Sequence, residues 1–212
     1  MITLRPVQFA DLAIKSEKDP GVKMNPDGTV RADWFVIATA ARVASLIYLL
    51  DIYRAQIPFP EQVKAIIREH KFWKSWKVGI EDYAYQWALG QAAWEKDVPT
   101  YPVKFPGDKV FRAQITTPHF ETGRVRLRGI LENGVLVVHP TLRRFVAEAG
   151  DFPFGDHDDT VDAVVGVVHM CMNEDIQGQK LVATRAPGFA IAQLGRAGSR
   201  SGDPFDVFKS PY

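Results

Sequence analysis

One cysteine is all that this chain of 212 residues contains. Cys171 cannot form an internal disulfide, and its place in the apolar run Val164–Met172 marks it as a small buried hydrophobe. Such usage fits a reducing compartment. No apolar stretch approaches the roughly 18 residues of a membrane span. Met1–Ala10 lacks a basic start leading into a long apolar core, so no signal peptide is predicted. The chain has no Gly-Lys pair, and therefore no P-loop to cradle nucleotide phosphates. A Gly-x-Ser-x-Gly elbow is missing too, which removes the usual setting of a serine nucleophile. Neither sign of charge dominates: the formal net charge is +1, so no global field advertises nucleic acid.

What is present suits one globular domain with a sizeable core over residues 1–172. From 173 to 212 the composition shifts to Gly, Gln, Ala, Arg and Ser, which reads as a loosely structured tail. Leu4–Ala10 predicts a strand ending at Asp11, and Lys15–Thr29 a charged loop rich in turn formers. Trp34–Thr39 and Leu46–Tyr53 predict an antiparallel hairpin. Pro60 opens a helix running to Trp73. Val78–Ile80 is a short strand ending at Glu81, followed by a helix to Trp94 and a strand over Val98–Val103. Val110–Ile115 reads as helical. Gly123–Leu131 and Val135–Val138 flank Asn133-Gly134, a strong hairpin signal. Leu142–Ala149 and Asp158–Met172 predict helices, with a turn at Phe152–Gly155. The order predicts an α/β domain: a mixed five-stranded sheet flanked by helices, with an extra β-hairpin.

His157-Asp158-Asp159-Thr160-Val161-Asp162 gathers carboxylates that repel one another. Helix capping is one reason for such a cluster. A divalent cation, which turns repulsion into coordination, is the other. Asp11 and Glu81 tip the balance. Both close predicted strands, and in an open α/β sheet adjacent strand ends form the crevice where ligands bind. Asp82 suits a helix cap, leaving Glu81 as the inward candidate. Asp162 lies one turn beyond Asp158, either as a further ligand or as a polar neighbour of the stripe Val161, Val164, Val165 and Val168. Oxygen ligands with almost no cysteine favour Mg²⁺ or Mn²⁺ over zinc. Two such ions roughly 4 Å apart can activate water and stabilise the leaving oxygen in phosphodiester hydrolysis. Positive charge collects between Lys104 and Arg144, and alternation in Arg124-Val-Arg126-Leu-Arg128 predicts three arginines on one strand face, suited to phosphates.

These residues fall in a familiar order. Asp11-Leu-Ala, Asp33, Ile80-Glu81-Asp82, Gly107-Asp-Lys109-Val-Phe-Arg112-Ala, Phe120-Glu-Thr-Gly-Arg124-Val, Phe152-Pro153 and His157-Asp-Asp-Thr-Val-Asp162-Ala form one collinear series. From about residue 4 to 172 the chain resembles the C-terminal nuclease domain of the large terminase subunit of tailed phages and prophages. The resemblance implies a ribonuclease H-like fold and a two-metal site that cuts concatemeric viral DNA. By motif, Asp11, Glu81, Asp158 and Asp159 would be its catalytic metal ligands, Asp159 foremost of the last pair. Lys109, Arg112, Arg124, Arg126 and Arg128 would be DNA contacts. The implied partners are double-stranded DNA, a terminase ATPase domain or subunit, the small terminase subunit and the portal, in the host cytoplasm. Without a P-loop, the likeness is to the nuclease part alone: a split gene product, a remnant or an excised domain. The long Lys15–Arg31 stretch, Leu12 in place of a small polar residue, and the extended Leu131–Leu136 hairpin depart from the family pattern. A DNA-gripping module without turnover and a junction resolvase are the rival expectations.

Overall fold

A computed structural model of the chain describes residues 4–12, 23–24, 30–31, 34–82 and 84–173. Its strands are β1 (Pro6–Asp11), β2 (Lys23–Met24), β3 (Val30–Arg31), β4 (Phe35–Val43), β5 (Leu46–Ala55), β6 (Lys77–Glu81), β7 (Thr100–Val103), β8 (Val125–Leu127), β9 (Gly129–Glu132) and β10 (Val135–Val138). The helices are α1 (Phe59–Trp73), α2 (Ala84–Trp94), α3 (Lys109–Glu121), α4 (Arg143–Asp151) and α5 (Asp159–Met172).

Six strands form the main sheet in the order β7-β6-β1-β4-β5-β8, and β4 alone runs against the others. β1 sits inside and is covered on both faces, so its apolar residues run on without a polar alternation. Period two then divides the core. Val7 and Phe9 of β1, with Val36, Ala38 and Ala40 of β4, face α3, α4 and α5. Ala10, Phe35 and Ile37 face α1 and α2.

The sheet has one strand more than the five expected. Gly123–Leu131 is not a single hairpin arm. Val125–Leu127 adds β8 to the edge of β5 in parallel, and the chain leaves that edge after Arg128, whose N–H donates to Leu49 O. Only Gly129–Glu132 pairs with Val135–Val138 across the Asn-Gly turn, as a separate two-stranded unit. Lys23–Met24, inside the expected 15–29 loop, pair with Val30–Arg31 just beyond it. Asp33, most of that loop and the tail from 174 onward lie outside the described residues. Cys171 is buried and forms no disulfide, as its surroundings in sequence imply.

α5 crosses β1 at close range. A Cβ on Gly166 would come within 2.3 Å of the Phe9 ring, and Phe9 is itself buried at 2% exposure. Helix propensity favours alanine over glycine by about 1 kcal/mol, but overlap with a ring that has no room to move outweighs it. Gly166→Ala is expected to lower stability by roughly 1–3 kcal/mol, measured by urea denaturation. Wild-type stability would show that α5 can lift from β1 without loss.

Candidate active site

The strand register carries the first two acids to one place. Asp11 pairs with Val36, and Val36 with Arg54; Ala10 pairs with Ile80, the residue before Glu81. Glu81, Asp11, Val36 and Arg54 therefore form a row across four adjacent strands, each about 4.8 Å from the next. Pleating turns the row toward α5, because Asp11 follows Phe9 by two residues and Val36 belongs to the same core face. The N-terminus of α5 brings Asp158, Asp159 and Asp162 over this row. The first turns of α3 bring Lys109 and Arg112.

Cations from α3 reach the carboxylates directly. Lys109 Nζ lies 2.5 Å from Asp162 Oδ2 and 3.2 Å from Asp158 Oδ1. Arg112 Nη1 donates to Glu81 Oε1 at 2.8 Å, with its guanidinium 5.0 Å from the centre of the Phe105 ring. Among the described residues, no three His, Cys, Asp or Glu side chains close around one point as an ion's ligands. The ammonium of Lys109 stands between two of them instead.

Asp158 occupies the N-cap position of α5, yet its side chain makes no capping hydrogen bond. The simple capping reading of this aspartate is corrected accordingly. The first-turn N–H of the buried Thr160 donates instead to Glu148 Oε2 of α4 at 3.1 Å, and the Thr160 hydroxyl donates to the same oxygen. Glu148 was not anticipated as part of this site. Its side chain is only 3% exposed and is tied to Arg144 Nε at 2.8 Å and Arg54 Nη2 at 3.3 Å. Arg54 was missed as well. Its guanidinium stacks 3.5 Å from the Trp34 ring centre and reaches 3.9 Å from Asp159 Oδ2. His157 Nδ1 lies 3.8 Å from the same oxygen.

Electrostatics mark this corner as strained in charge. Burial, then repulsion by Asp162, holds the Asp11 carboxyl well above its ordinary range, with Lys109 opposing and Asp159 and Glu81 adding to the rise. Burial likewise pushes Asp159 up to about 6, partly offset by Arg54 and reinforced by Glu148 and Asp158. Asp162 is raised by burial against the opposing hydrogen bond of Lys109. Burial alone would lower the Lys109 ammonium. Its bond to Asp162, with the charges of Asp162 and Asp158, outweighs that and leaves it above its ordinary value. Carboxylates outnumber the cations that face them. A further positive charge would relieve the excess, and the donor set, all hard oxygen, fits Mg²⁺ or Mn²⁺.

Three predicted DNA contacts stand elsewhere. Val125 and Leu127 pack into the core beneath the α3–α5 layer, so alternation turns Arg126, between them, away from the face bearing the acids. Arg124 Nε donates to Ser45 O, at the β4–β5 turn. That turn lies at the opposite end of the sheet from Asp11, about 20 Å along the strands at their usual rise. The expected strand over these arginines shortens to Val125–Leu127, and the face Arg126 serves depended on where β8 would pair.

No protein-family model and no curated protein matches the sequence. The fold does have counterparts. The large terminase nuclease of thermophilic phage G20c, solved with bound zinc, is 14% identical with a TM-score of 0.54, covering 78% of this chain and 81% of the other. The human cytomegalovirus terminase nuclease domain, Mn-soaked and inhibitor-bound, is 10% identical with a TM-score of 0.50, covering 79% and 82%. The chain therefore has the ribonuclease H-like fold of viral terminase nuclease domains.

Proposed function

We propose that this chain is a divalent-metal-dependent DNA endonuclease domain of a viral genome-packaging terminase. The observation that carries the reading is the convergence of Asp11, Glu81, Asp158 and Asp159, distant in sequence, on one end of the sheet beneath the start of α5. Asp162 joins them from one turn further on. These carboxylates are the residues that would hold two Mg²⁺ or Mn²⁺ ions. When bound, such ions supply an activated water and offset charge on the leaving 3′ oxygen.

The protein's own contribution is placement. β1 and β6 hold Asp11 and Glu81 side by side on a rigid sheet, and the α5 N-terminus presents Asp158 and Asp159 from above. Arg112 fixes Glu81 from one side, while Arg54 faces Asp159 from the other. Lys109 and Arg112, brought among the acids by α3, are the cations suited to phosphates of duplex DNA. Contacts of that kind position the backbone without reading bases, so weak sequence preference follows. The ATPase, small subunit and portal of a packaging motor would be the partners in which such cutting is used.

Supercoiled plasmid incubated with the chain and Mn²⁺ or Mg²⁺ is expected to become nicked and linear, and EDTA is expected to stop the reaction. Binding without cleavage across several divalent metals would leave a DNA-gripping module. Marked preference for four-way junctions over linear duplex would indicate a resolvase.

A further inference from the structure

The two cations of α3 are held in different ways. Arg112 is 13% exposed, bonded to Glu81 and set over the Phe105 ring. It is a fixture. Lys109 is 52% exposed and contacts the cluster through its ammonium, at Asp158 and Asp162. Its flexible stem leaves a path out to solvent.

Lys109 is also the first residue of α3, directly after the capping Asp108, whose side chain accepts from Phe111 N. A cation at a helix N-terminus stands against the macrodipole. Nothing in α3 itself favours the ammonium there; the acids of α5 hold it. Both of its carboxylates come from one turn of α5, the same turn that presents Asp159.

From this geometry we infer that Lys109 is a resident, exchangeable cation of the site. Its ammonium competes with a divalent ion for Asp158 and Asp162, and an entering ion displaces it toward the rim. The inference rests on reading the cluster as a divalent-metal site. It gives Lys109 a role before any DNA arrives: it neutralises the acids in the metal-free protein and weakens metal binding. A phosphate that draws the ammonium outward then strengthens metal binding, and linkage makes the effect reciprocal.

The test is calorimetric titration of MnCl₂ into the full chain without DNA, for wild type, Lys109→Met, Lys109→Gln and Lys109→Arg. Loss of a competing charge in contact with the ligands is expected to tighten Mn²⁺ binding about tenfold in the Met and Gln variants, with Arg near wild type. In EDTA the Met and Gln variants are expected to melt a few degrees lower than wild type, because the acids lose their counter-charge. Their melting rise on adding Mn²⁺ is then expected to be larger than that of wild type. A purely structural role would lower the EDTA melting temperature and leave Mn²⁺ affinity unchanged. Unchanged or weaker affinity in both folded variants, with wild type binding normally, overturns the inference alone. If no form of the chain binds Mn²⁺, the metal-site reading falls and takes this inference with it.

Discussion

Asp159→Asn is expected to lower plasmid cleavage by about a thousandfold or more, while making the metal-free protein more stable at neutral pH. Both effects come from one carboxylate. Burial holds Asp159 up at about 6, above the usual aspartate value of about 4. Between those values the folded chain keeps a proton that the unfolded chain releases. Stability of the metal-free protein therefore falls as pH rises through that window. Above it the ionised group costs about 3 kcal/mol, and asparagine does not incur that cost. Melting in EDTA across pH 4–8 measures the sign directly. Mn²⁺ should raise the melting temperature of wild type far more than that of the variant. Glu81→Ala is expected to show the same loss of cleavage. Cleavage that survives both substitutions would sink the assignment of the site.

Glu148→Ala is expected to destabilise the fold by about 3–5 kcal/mol, the usual cost of stranding one partner of a buried ion pair. Arg54, 15% exposed and stacked on Trp34, would lose its nearest carboxylate. The N–H of Thr160 at the head of α5 would lose its acceptor. Burial opposes the charge of Glu148, but the Thr160 hydroxyl, Arg144, the Thr160 N–H and Arg54 together hold its carboxyl below the ordinary range. A depressed value of this kind stabilises the fold above the usual glutamate pKa, and the gain is lost as pH falls through the lower, folded-state value. Glu148→Gln keeps an acceptor for Thr160 and should cost less. Urea denaturation at pH 7 measures both. Near-wild-type stability of the alanine variant would show that Asp159 or solvent takes over the guanidinium.

Much of the site could be read locally because strand ends and helix starts are local features. Asp11 and Glu81 each follow a short apolar run, and Asp158-Asp159 precede one. Period two and the position of the chain breaks suffice to place them at element termini. Arg54 carried a weaker signal. It lies one residue beyond the expected end of its strand, and the register irregularity at Thr39/Ala40 disturbs the simple alternation along the β4–β5 pair. Glu148 carried none, since a glutamate in a short amphipathic helix reads as solvated until the neighbouring helix is in place. β8 was hidden for a related reason. Its sequence alternates, but a hairpin arm and a parallel edge strand have the same local pattern.

The amino-acid sequence alone determined the α/β order, the acids at the strand ends and at the head of α5, and the lack of a nucleotide-binding loop. Each of these is a matter of periodicity or spacing within a few residues. Tertiary structure decided the sixth strand and the face to which Arg126 turns. It also decided that Lys109 sits among the acids, and that Glu148 rather than Asp158 satisfies the first turn of α5. Those outcomes depend on pairings between residues far apart in the chain. Which partner a buried charge or an edge strand finds is settled by competition among all the groups that folding brings together.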